Sequence, residues 1–172
     1  MAEEKVHSAV IRLVEAYRNI SEQRMQGLPI VNERLEVEAV GFTLWEGRWL
    51  GIIISPWFMN LTLLPAEHED WSDLDWGAKR VWGLPSSDYE FIVSPIEGVG
   101  VHQSLSMFTT VTDFPDQHVA RAVAQAIMDK LLERSVEVSE QATVSTKEDL
   151  GKIPDNPVSR RELLRKFVPI NK

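Results

Sequence analysis

Between residues 6 and 20 the apolar positions fall three and four apart: Val6, Ala9, Val10, Leu13, Val14, Tyr17 and Ile20. That spacing gathers them on one stripe, so the pattern predicts a helix over 3–25, ended by Gly27 and Pro29. From Leu35 to Ser55 the period changes. Val, Ile, Phe, Thr and Trp dominate there, and the break at Glu46-Gly47 marks two strands joined by a tight turn. Ser55-Pro56-Trp57 reads as the next turn, because proline has no N–H to give a central ladder. A third strand runs from Phe58 to Leu64. Residues 66–85 show no clear period and leave room for one short helix at most. Strands return over Asp88–Ser94 and Val101–Val111, separated by Pro95 and Gly98-Val99-Gly100. A second helix follows, with Pro115 in its first turn and Val119, Ala122, Val123, Ala126, Ile127 and Leu131 as its stripe. Residues 135–158 lose periodicity and gain Ser, Thr, Glu and Pro, which reads as a flexible linker before a basic tail over 159–172.

The order helix, meander, connection, hairpin, helix predicts an α+β fold. We expect a two-layer sandwich, with the N- and C-terminal helices on one face of an antiparallel sheet, over residues 1–134. A chain of 172 residues suits one such domain with a sizeable core. It contains no cysteine, which excludes a disulfide framework, a thiolate zinc site and an iron–sulfur cluster. Acids stand near the N-terminus where a secretory signal has bases. The most apolar run, Leu50 to Pro65, is broken by Pro56 and Asn60 and is too short to span a bilayer. These features lead us to expect a cytoplasmic protein without membrane insertion.

The net charge of −8 argues against nucleic acid as a partner. Its distribution says more. From Val158 onward, Arg160, Arg161, Arg165, Lys166 and Lys172 oppose only Glu162, so the tail carries +4 and the rest of the chain −12. A body so acidic attracts basic peptides.

Catalytic patterns are missing. His7, His68, His102 and His118 lack metal-ligand spacing, and the serines lack a nucleophile-elbow frame. Glu67-His68-Glu69-Asp70 could grip a cation through carboxylates and imidazole, but no second ligand pair accompanies it and a solvated acidic loop is the better reading. We therefore expect no catalytic residue, metal or cofactor. Peptide binding fits better. Arginine pairs with carboxylates and stacks on indoles, and 67–76 interleaves Glu67, Glu69, Asp70, Asp73 and Asp75 with Trp71 and Trp76. The competing reading makes the two tryptophans anchors of the loop and turns the acids to water.

GFTLWEGRWLGIIISPWFMNLTLLP (41–65) resembles the signature of the HybE/HupJ family of [NiFe]-hydrogenase assembly chaperones. The likeness continues through Gly77-Ala78-Lys79-Arg80, Leu84-Pro85-Ser86-Ser87-Asp88-Tyr89-Glu90-Phe91 and Gln103-Ser104-Leu105-Ser106-Met107-Phe108. It covers most of 10–135, and the ending SRRELLR (159–165) is also similar to family members. The resemblance implies a fold like the type III secretion chaperone sandwich and a cytoplasmic accessory protein. It implies binding of a hydrogenase small-subunit precursor through its twin-arginine signal peptide, delaying export until assembly. It extends to the large subunit and other accessory proteins as partners. The alternative is an adaptor that joins the two subunits without reading the signal. Some family members are fused to rubredoxin, an iron site this cysteine-free chain cannot build. We take Trp45, Trp49, Pro56 and Trp57 as the expected platform for the client, with Glu67, Glu69, Asp70 and Asp73 meeting its arginines. Ser159, Arg160, Arg161, Leu163, Leu164 and Arg165 follow the S/T-R-R-x-F-L-K pattern of a twin-arginine address, with Leu163 for Phe and Arg165 for Lys. Such a tail can imitate the client's signal, engage a translocase component or sister chaperone, or dock incidentally on the body.

Overall fold

A computed structural model describes residues 2–133; the expected linker and tail lie outside them. Helix α1 (Ala2–Ile20) continues into a single π-helical turn, Ser21–Met25, before the chain turns at Gly27. Six strands follow: β1 (Glu38–Trp45), β2 (Arg48–Ile54), β3 (Met59–Leu64), β4 (Lys79–Gly83), β5 (Asp88–Ile96) and β6 (Gly100–Phe108). Helix α2 (Gln117–Leu132) closes the described chain. The strands form one sheet in the order β1-β2-β3-β6-β5-β4, every pair antiparallel. Two three-stranded meanders therefore lie side by side, joined where β3 pairs with β6. The α+β expectation holds.

The placement of the helices differs from expectation. Leu50, Ile52 and Ile54 of β2 pack with Val123, Ile127 and Leu131 of α2, whereas Ile53 packs with Leu13 of α1. Alternate residues of a strand point to opposite faces, so the two helices cover opposite sides of the sheet. Burial of β2 on both sides explains why Gly51-Ile52-Ile53-Ile54 is a continuous run rather than an alternation. Each fully buried Leu or Ile there contributes about 1.5–3 kcal/mol of transfer free energy.

Local chemistry fixes the joints. Asn32, buried, donates from Nδ2 to the carbonyls of Val111 (3.0 Å) and Phe114 (2.9 Å), tying the segment after α1 to the loop before α2. Asp116 caps α2 by accepting from the Val119 N–H at 2.9 Å. Pro115 thus stands before the cap rather than in the first turn. Glu38 of β1 accepts from Arg121 (2.7 Å) and Gln117 (2.7 Å) of α2. At Gly41, where β1 bulges, φ is +65° and a Cβ would lie 2.9 Å from Met128 Cγ, so the bulge lets α2 sit close.

Two further expectations are corrected. The connection 66–85 contains the edge strand β4 and no helix. Pro95 lies inside β5, not at its end. Val93 exchanges backbone hydrogen bonds with Gly77 and Ala78 on the β4 side. Pro95, two residues on, faces that side beyond the end of β4, where its missing N–H costs no ladder bond.

Candidate peptide-binding face

The segment that sequence reasoning singled out, 67–76, divides into two kinds of tryptophan. Trp71 is buried and its ring centroid lies 6.2 Å from that of Trp82. Trp76 is 80% exposed. It stands in a tight turn that leads straight into β4, closed by the Ala78 N–H donating to the Asp75 carbonyl at 3.1 Å, with Gly77 at φ +81°. Asp73 and Asp75 beside it are exposed.

Glu69 faces inward. Its two carboxylate oxygens accept from Nε (2.9 Å) and Nη2 of Arg48, and one also accepts from the Ala66 N–H at 3.0 Å. Burial alone would raise the Glu69 carboxyl, but the hydrogen bonds from Arg48 and Ala66 hold it below its ordinary range. Arg48 in turn stacks on Trp82, 4.5 Å from the ring centroid. Trp82 packs edge-on against Trp45 at 6.0 Å and donates from its indole to Gln103 Oε1 at 2.8 Å. An arginine stacked on indole and clasped by a carboxylate is the arrangement expected for a client's arginine. The chain fills it with its own Arg48. Asp70 remains exposed, and its carboxyl is held low chiefly by the Ser72 N–H, which it accepts at 2.9 Å. Glu67 and His68 are exposed as well.

The four residues expected to form one platform do not meet. Trp45 packs on the α2 side of the sheet and Trp49 on the α1 side. Pro56 and Trp57 lie at the other end of β2, about 20 Å away along a seven-residue strand. There Pro56 is buried, its carbonyl accepting from the Asn32 N–H at 2.7 Å, and Trp57 stacks edge-on against Phe58 at 5.3 Å. The tail residues Ser159 to Arg165 lie outside the described chain.

What the structure brings together instead is a face on the outer hairpin. Lys79 pairs with Ile92 and Val81 with Glu90, so these four side chains share one face of β4 and β5. Through Ser104 and Thr62 that face continues onto the side of the sheet where α1 packs. The apolar cluster beneath α1 draws on β1, β2, β3 and the β5–β6 turn, and leaves Val81 61% and Ile92 44% exposed. Between them and α1 the floor carries short polar side chains: Asn60, Ser104 and Ser106. Lys79 and Glu90 form an ion pair at 2.9 Å on the rim. At one end lies a cleft of about 430 Å³ lined by Asn19, Ile20, Arg24, Ile96 and Glu97. β4 is also a sheet edge, and among the described residues no strand pairs with its outer side. Sequence reasoning missed Val81, Ile92 and the internal role of Arg48. A partial hairpin signal was present: Gly77, the short run Val81-Trp82, the turn residues Pro85-Ser86-Ser87, then Tyr-Glu-Phe-Ile-Val.

Comparison with known proteins places this architecture. Residues 8–166 match the family described as "[NiFe]-hydrogenase assembly, chaperone, HybE". A "Probable rubredoxin HupJ" of Rhodobacter capsulatus is 44% identical over 131 residues, 76% of this chain and 47% of that protein. The chain thus spans about half the length of that relative. A "Hydrogenase expression/formation protein HupJ" of Bradyrhizobium diazoefficiens is 36% identical over 158 residues, 89% of this chain and 85% of that one. The solution structure of HybE from Escherichia coli superposes with a TM-score of 0.61 at 20% identity, covering 86% of this chain and 91% of that chain, and so shares the fold. On the extent of the family match and the identity to HupJ, this chain belongs to the HybE family of [NiFe]-hydrogenase assembly chaperones.

Proposed function

We propose that this chaperone acts in the cytoplasm on the small-subunit precursor of a [NiFe] hydrogenase. It binds the twin-arginine signal peptide and withholds the precursor from export until assembly is complete. Its action is non-catalytic. The observation that carries this reading is Trp76, 80% exposed in an acidic turn that leads into β4, the strand whose Val81 shares an open face with Ile92. Exposed indoles are costly to leave in water, and they are the side chains that most often anchor interfaces. Asp70, Asp73 and Asp75 supply the charge that two arginines require, and the strip receives the apolar residues that follow them in a signal. Glu69 belongs to the scaffold in this reading, since Arg48 already holds it.

Calorimetry with the full-length protein tests the proposal. A small-subunit signal peptide should bind, and the same peptide with its arginines changed to lysines should bind at least about tenfold more weakly, because bidentate pairing and stacking are lost. No binding by either peptide would remove it. The open edge of β4 favours a second reading, an adaptor that takes a strand of a mature subunit by backbone pairing. In that case mature small subunit without its signal is retained in a pull-down as fully as the precursor.

A further inference from the structure

We infer that the Val81–Ile92 face, with the Trp76 turn at its end, is covered in the free protein by the chain's own C-terminal segment, Ser159–Lys172, which a client must displace. The inference rests on the reading above for the client's identity, but the contact itself stands on separate observations. The first is where the described chain ends. The Leu131 carbonyl accepts from the Ser86 N–H at 3.2 Å, so α2 delivers the chain to the β4–β5 turn. That turn belongs to the hairpin that carries Val81 and Ile92 on its opposite face, so the chain leaving α2 reaches them by passing round the β4 edge. From the β4–β5 turn to Trp76 is the length of β4 and its preceding turn, about 20–25 Å at strand spacing. A span the length of residues 134–158 would reach about 25–30 Å root-mean-square if it behaved as a flexible coil.

The second observation is complementarity. The segment carries +4, with Leu163, Leu164 and Phe167 among its bases, against −12 on the rest of the chain. The receiving face offers exposed Val81 and Ile92 beside the Lys79–Glu90 ion pair, and the turn at its end adds exposed Trp76 with the acids Asp73 and Asp75. Tethering raises the effective concentration of the segment to about millimolar, so a contact too weak to hold a free peptide can still close this face.

The test uses the full chain. Because it has no cysteine, Asn171→Cys gives one labelling site for a nitroxide. We expect the amide signals of Trp76, Lys79–Gly83 and Ile92 to broaden, and those of Thr43 and Leu44 at the opposite edge to stay sharp. Adding Arg160→Glu and Arg161→Glu should abolish the broadening, and both positions lie outside the residues that build the core clusters. Mixing spin-labelled chains with isotope-labelled, nitroxide-free chains separates the occupants. Broadening that survives in the mixture identifies a second copy and overturns the inference, as does broadening elsewhere or none. Against a twin-arginine peptide, the Arg160→Glu/Arg161→Glu chain should bind about tenfold more tightly than the natural one. If the nitroxide contact is seen and neither chain binds the peptide, the signal-peptide reading falls while the self-contact stands. If the peptide binds both chains equally and no contact is seen, the self-contact falls alone.

Discussion

Arg48 is held from several sides: stacked on Trp82, paired with Glu69, and donating to the Glu46 carbonyl at 3.5 Å. Both members of the Arg48–Glu69 pair are largely withdrawn from water, with side chains 15% and 19% exposed. Removing one partner therefore strands the other's charge. Glu69→Ala is expected to lower stability by about 1–3 kcal/mol in urea unfolding while leaving signal-peptide affinity unchanged. Trp76 predicts the opposite profile. With its ring in water, Trp76→Ala should shift stability by no more than about 0.5 kcal/mol. The same change should weaken peptide binding by about tenfold or more, as loss of an anchor does. Measuring both quantities on both variants separates scaffold from contact surface. Composition alone could not make this distinction, because Glu69 and Asp73 look alike in sequence, and only packing shows that one faces Arg48 and the other water.

Among the elements, α2 is the most conventionally encoded. Its stripe, its Asp116 cap and its basic last turn at Lys130 agree with one another. Loss of the cap in Asp116→Ala should cost about 1 kcal/mol, seen as a lower urea midpoint at unchanged slope. β4 is the least legible element. Its residues are nearly all exposed, so the burial that produces a clear alternation in β5 has little to act on. Its identity as a strand comes from pairing with β5, a contact local in sequence but hidden among turn residues. The run Gly51-Ile52-Ile53-Ile54 carried a signal that was misread. Apolar residues at consecutive strand positions require cover on both faces, which places one helix on each side rather than both together.

For the molecule as a whole, the side of the sheet under α1 holds a titratable pair. His102 Nε2, buried on β6, lies 3.3 Å from the hydroxyl of Tyr17, which α1 brings down onto the sheet. Burial pushes His102 down from 6.5 to about 4, with the Gly100 carbonyl opposing the shift weakly. Burial also raises Tyr17 from 10.0 to about 12. The unfolded chain therefore takes up the His102 proton first as pH falls. The corresponding stability is complete above about pH 6.5 and is lost progressively down to about pH 4, a total on the order of 3 kcal/mol. His102→Gln should flatten that part of the acid limb of unfolding free energy against pH. At the alkaline end, Tyr17 contributes stability that is present below pH 10 and lost toward 12.

Periodicity in the chain was enough to define both helices, the first meander and the α+β class, because amphipathic stripes and turn residues are local consequences of backbone geometry. Its charge division, acidic body and basic tail, was equally plain, since charge needs no fold to be counted. The tertiary structure decided what depends on who packs against whom. It set the helices on opposite faces, turned Trp45 and Trp49 to different sides, and gave Glu69 to Arg48. It left Trp76, Val81 and Ile92 exposed on the outer hairpin. Exposure is a property of neighbours distant in sequence, and no local pattern carries it.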